Sequence, residues 1–145
     1  MKSLLVLLLA GVASAGVNDT LAQKEGWALY ASELARVTTK VNDTCGSALK
    51  TRYDPSTWPS FDPATDRTRG ACEMAVSTLS AICATDPGKE SVRALSGATC
   101  RFSTEGTKVS RDGKALTVWI DPAKTSIVGK EAGSYSWASA LREVL

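Results

Sequence analysis

Cys72 and Cys83 stand eleven residues apart within Asp62 to Gly97, a stretch patterned as a helix, a turn and a short second helix. On an α-helix that interval is about three turns and a rise of roughly 16 Å, so the two side chains share a face but cannot bond to each other. Each needs a partner elsewhere, and the chain offers only Cys45 upstream and Cys100 downstream. The helix becomes the element to which both flanks of the chain are fastened. Of the three ways to pair four cysteines, the spacing removes one. Chain order favours Cys45–Cys72 and Cys83–Cys100, each closing one connection. Zinc is the competing use of four cysteines, yet the chain has no histidine and no Cys-x-x-Cys pair. Two disulfides are expected, with no metal and no other cofactor.

Disulfides belong to oxidising compartments, and the N-terminus supplies a route to one. Lys2, the apolar run Leu4 to Ala10 and the small residues Ala13-Ser14-Ala15 make a Sec-type signal peptide over residues 1–15, with a mature chain from Gly16. The run is shorter than the roughly 20 apolar residues a membrane span needs, and no later segment approaches that length. A periplasmic or secreted setting is expected. Residues 16–145 then form a single globular α+β domain, large enough to bury about two-thirds of its unfolded surface. Loss of Lys2 takes the formal charge from +2 to +1. A mild basic excess between Lys89 and Lys130 is spread over turns and strands, so no broad field points at nucleic acid or an anionic membrane.

Thr20 with Gln23 fits a capping box, and Trp27, Tyr30, Leu34, Val37, Val41, Cys45 and Leu49 then recur on one helical face. A first helix is expected to reach about residue 50. Thr51 to Pro63 carries Pro55, Pro59 and Pro63, which exclude a helix interior or a central strand. Asp62 and Pro63 suit the cap and first position of the next helix, which should pack antiparallel to the first. Asp86-Pro87 begins the short helix in the same way, ending near Gly97. The period then changes. Ala98 to Thr104 alternates with Cys100 and Phe102 inward, and Ala115 to Asp121 puts Leu116, Val118 and Ile120 inward with Thr117 and Trp119 outward. Asp112-Gly113 between alternating segments signals a two-residue hairpin turn with Val109 facing Leu116. A three-stranded antiparallel meander is the expected product. Ser126 to Gly129 suits a short edge segment. Ser134 suits the cap of a C-terminal helix with Trp137, Ala140, Leu141, Val144 and Leu145 in one stripe, docking on the open sheet face or the helical hairpin.

Without histidine, the Ser-His-Asp and Cys-His routes are closed. Ser47-Ala48-Leu49-Lys50 matches Ser-x-x-Lys, a spacing that puts a lysine one helical turn from a serine, but the companion motifs of that chemistry are missing. Asp54 and Asp62 flank the proline-rich loop, where turn formation and capping are their simpler roles. Asn18-Asp19-Thr20 and Asn42-Asp43-Thr44 are formal glycosylation acceptors. The strongest binding candidates are aromatic: Tyr53, Trp58 and Phe61 on the stiffened loop, and Trp119 on the outer sheet face. Two alternatives compete with exposure. The loop aromatics can fold back as a plug over the helices, and the last helix can cover Trp119. The expected function is a small exported binding or interaction protein of the cell envelope or extracellular space, an inhibitor of a secreted enzyme being one form, with a protein or glycan partner. A small cell-wall glycan hydrolase using paired carboxylates and a purely structural envelope protein are the alternatives.

Overall fold

The computed structural model describes residues 20–58, 68–124 and 134–145. The expected signal peptide, Asn18, Phe61, Asp62 and the segment Ser126 to Gly129 lie outside them. Helix α1 (Leu21–Cys45) begins where its cap dictates: Thr20 Oγ1 accepts from Gln23 N at 3.2 Å, and the Gln23 side chain accepts from Thr20 N at 2.7 Å. It stops at Gly46, whose φ of 63° is a left-handed conformation that glycine adopts without strain. The helix therefore ends short of residue 50, and a strand takes its place. The Asn42 carboxamide donates to Leu49 O and accepts from Leu49 N and Ser47 Oγ, folding residues 46–49 back against the helix end. Strand β1 (Lys50–Tyr53) starts at once and runs back along α1, Thr51 bonding Thr38 and Tyr53 reaching the rings of Tyr30 and Trp27.

That unexpected strand changes the course of everything after it. Helix α2 (Thr68–Ile82) now starts at the far end of β1, so it runs alongside α1 in the same direction instead of antiparallel. The C-terminal ends of the two helices meet. Cys45 consequently bonds Cys83, with Cα atoms 5.5 Å apart, and Cys72, near the start of α2, bonds Cys100, 6.2 Å apart. The expected pairs Cys45–Cys72 and Cys83–Cys100 assumed a helical hairpin, and the observed bridges interleave because the hairpin does not form. Helix α3 (Asp86–Arg93) comes next, capped by Thr85 rather than Asp86; the Thr85 hydroxyl accepts from Gly88 N at 3.2 Å. Gly88 is packed so closely that a Cβ there would lie 1.9 Å from Ile82 O.

Strands β2 (Gly97–Phe102), β3 (Lys108–Asp112) and β4 (Ala115–Ile120) complete a sheet of order β1-β2-β4-β3. β1, β2 and β4 are parallel neighbours, and only β3 with β4 is antiparallel. β1, α2, α3 and β2 thus form a crossover unit, the connection that parallel neighbours require. The expected meander fails on strand order: β4 sits between β2 and β3. Its alternate residues Leu116, Val118 and Ile120 are fully buried, which suits a central strand, while the charged β3 takes the edge. The hairpin turn is Gly113-Lys114, so Val109 opposes Val118 rather than Leu116. This two-residue change of register preserves which side chains face inward.

Helix α4 (Ser134–Val144) lies against α2 and β3, with Trp137, Ala140 and Leu141 buried. Arg111, an inward-facing residue of β3, donates from Nη1 to Leu145 O at 3.0 Å. All four described helices therefore share one side of the sheet, and the core lies between the two layers. Leu34, Val41, Val76, Leu79, Val118 and Leu141 are completely enclosed there. No described helix is long and apolar enough to cross a membrane, and two disulfides suit a non-reducing, extracellular or periplasmic setting.

Candidate functional site

The aromatic loop folds inward. Tyr53 is 4 % exposed and Trp58 9 %. Their rings close a cluster in which Trp58 lies 5.8 Å from Trp27 and 5.4 Å from Phe102, and Tyr53 lies 5.7 Å from Trp27. A short 3-10 turn (Pro55–Thr57) sets this geometry. Asp54 caps it, accepting from Ser56 N and Ser56 Oγ, and Thr57 Oγ1 accepts from Phe102 N at 3.0 Å. Tyr53 and Trp58 are thus the plug, and neither offers a surface to a partner. The plug sits beside the start of α1 rather than at a Cys45–Cys72 bridge.

Trp119 is different. It projects from β4 on the side away from the helices and is half-buried by its neighbours on the sheet itself. The last helix does not cover it, because α4 lies on the other face. Register places the outward residues in rows across the strands. Arg101, Trp119 and Lys108 form one row, and Arg52, Thr99, Thr117 and Ser110 the next. Lys50, Gly97, Ala115 and Asp112 form the third. The indole stands between two cations, with Arg101 Cζ and Lys108 Nζ each 5.7 Å from its ring centroid, a cation–π distance. Its Nε1 donates to Ser110 Oγ at 3.1 Å. Asp54 Oδ2 holds Arg101 Nη2 at 3.4 Å and so fixes the guanidinium beside the ring. Lys50, Arg52 and Lys108 have no acidic partner among the described residues.

The catalytic pairings weighed from the sequence do not assemble on this face among the described residues. Ser47 is off the helix and donates to Asn42 Oδ1, while Lys50 lies on a strand, so the one-turn spacing of a helical Ser-x-x-Lys pair is not formed. Asp54 and Asp112 border the face at opposite corners. Three strand spacings alone put them about 14 Å apart, beyond the roughly 9.5 Å upper separation of a glycosidase acid pair. Asp121 is buried, accepting from the amides of Gly106, Ala123 and Lys124 where the loop before β3 meets the end of β4. Its role is structural. The Asn42 side chain is likewise committed to the α1–β1 turn. Among the described residues no three His, Cys, Asp or Glu side chains gather as a metal site would need.

Of the residues expected to bind, the structure leaves Trp119 outward, encloses Tyr53 and Trp58, and does not describe Phe61. The cations around Trp119 were hidden by sequence distance. Lys50 and Arg52 belong to a strand that is nearly all polar, and Arg101 and Lys108 flank the ring only because β4 is inserted between β2 and β3. The available signal was alternation: Arg101 and Trp119 both fall on outward positions. No protein-family model, no curated protein and no solved structure matches the chain.

Proposed function

We propose that this chain is an exported binding protein of the cell envelope or extracellular space, and that its contact surface is the open sheet face centred on Trp119. The observation that carries this is the sidedness of the sheet. Parallel strands are normally covered on both faces, because crossover helices bury them. Here three parallel neighbours have helices on one side only among the described residues, and the other side carries an ordered tryptophan with cations on either flank. Unpaired cations on an exposed face attract anionic partners and speed their encounter. The two disulfides and the expected signal peptide support export.

The test uses the oxidised protein immobilised and challenged with envelope and secreted fractions of the native source, beside an Arg52→Glu, Lys108→Glu variant with an unchanged unfolding midpoint. Material retained by the native protein and released by the variant is the expected result. Equal retention by both would remove the open face from the function, and no retention by either would remove binding.

A further inference from the structure

We infer that the ligand of the open face is an anionic polysaccharide, a chain of pyranose rings bearing carboxylate or sulfate groups. One ring packs on the exposed part of Trp119, and its acidic groups pair with Arg101 and Lys108. The inference rests on the open face being the binding surface proposed above. It names the chemistry of the partner.

Three properties of the face select this class. The first is charge. Four cations, Lys50, Arg52, Arg101 and Lys108, occupy outward positions, against Asp112 at one corner and Asp54 at the rim, which is already engaged by Arg101. The second is the row of hydroxyls beside the ring. Thr99, Thr117 and Ser110 lie side by side on adjacent strands, and each hydroxyl both donates and accepts, as sugar hydroxyls do. The third is a single aromatic, Trp119, among the described outward positions. Gly97 and Ala115 leave one end of the face low.

A protein partner fits these properties poorly. Protein interfaces concentrate apolar and aromatic groups at a desolvated centre and deplete charge there, whereas this centre is one indole between two cations. Single-stranded nucleic acid would suit the charge, but sheets that bind it offer two or three stacking rings, and this face offers one among the described residues. A polymer whose rings alternate apolar C–H surface with hydroxyls and carries regularly spaced anions matches both the indole and its surroundings. Arg101 and Lys108 lie one strand spacing, about 4.8 Å, to either side of Trp119. A ring on the indole therefore meets a cation whichever way its acidic group points.

The protein supplies its own reporter. Of its four tryptophans, Trp27, Trp58 and Trp137 are at most 9 % exposed, so acrylamide reaches Trp119 alone. The experiment titrates the intact oxidised protein with polygalacturonate, dextran sulfate, neutral dextran, poly-glutamate and a single-stranded polynucleotide, following quenching and affinity. Polygalacturonate or dextran sulfate should protect Trp119, the preferred one identifying the acidic group, while neutral dextran should not. Trp119→Ala, which keeps every charge, and Lys108→Gln should each weaken binding about tenfold, a loss of about 1.4 kcal/mol. A Lys24→Gln, Lys40→Gln control on the exposed side of α1 should change it less than about twofold. If poly-glutamate or the polynucleotide binds more tightly than either glycan and Lys108→Gln weakens it, the glycan assignment falls and the binding surface stands. If no polyanion protects Trp119, or the control weakens binding as much as Lys108→Gln, both fall.

Discussion

The two faces of one sheet are made from alternate residues of the same four strands, and their surroundings are opposite. On the covered side Tyr53, Cys100, Leu116, Val118 and Ile120 meet the helices, and Cys72–Cys100 fastens the layers together. On the open side Arg52, Thr99, Arg101, Thr117 and Trp119 meet solvent. Neighbouring residues differ in environment because a strand sends successive side chains to opposite faces. Packing is concentrated on one side, which leaves the composition of the other unconstrained by the core.

Val118 and Thr117 put that division to its hardest test. They are adjacent in β4, yet Val118 is completely buried and Thr117 points outward. Val118→Lys buries an unpaired cation and should cost more than about 4 kcal/mol, a large share of the roughly 5 to 15 kcal/mol that holds a domain of ordinary stability. Thr117→Lys adds the same charge to a solvated face and should shift stability by less than about 1 kcal/mol. Urea denaturation of both checks the contrast. Comparable losses would mean that the open face is packed against something.

The disulfides come next in size. Removing Cys45–Cys83 or Cys72–Cys100 as an alanine pair should each cost about 3 to 4 kcal/mol in the chain-entropy model. Their sequence separations, 38 and 28, differ too little to matter, changing the loop-closure term by about 0.3 kcal/mol. A larger gap between the variants would measure what Cys72–Cys100 adds by joining the helix layer to the sheet. Peptide mapping under non-reducing conditions should recover fragments containing Cys45 joined to Cys83, and would expose a chain-order pairing at once.

Local features were legible in the sequence and long-range ones were not. The Thr20–Gln23 cap, the inward stripe of α1, and the inward phase of Leu116, Val118 and Ile120 all arise from neighbours within a few residues, and all are present. Strand β1 was not legible: four residues, Lys-Thr-Arg-Tyr, present no clear apolar alternation, and Gly46 interrupts the helical pattern without specifying a strand beyond it. Without this strand α2 would run antiparallel to α1, and the disulfides would pair in chain order. Strand order failed for a related reason. The Asp-Gly signal specifies a hairpin but not which of its two strands joins β2; that is decided by burial, which favours β4. Trp119 was legible as outward, but its flanking cations depend on that order. Had β3 been central, Arg101 would have no ring beside it.

The smallest expected effect tests how open the face is. Ser110 Oγ accepts from Trp119 Nε1, and both residues point to solvent rather than into the core. A hydrogen bond that water can replace contributes little net stability, whereas a buried donor left without an acceptor costs about 1 to 3 kcal/mol. Ser110→Ala should therefore lower stability by less than about 0.5 kcal/mol. The indole should turn more freely, and Trp119 should quench more readily with acrylamide while the three enclosed tryptophans do not. A loss above about 1 kcal/mol would show that Nε1 is cut off from water, which would make Trp119 part of a covered surface rather than the centre of an open one.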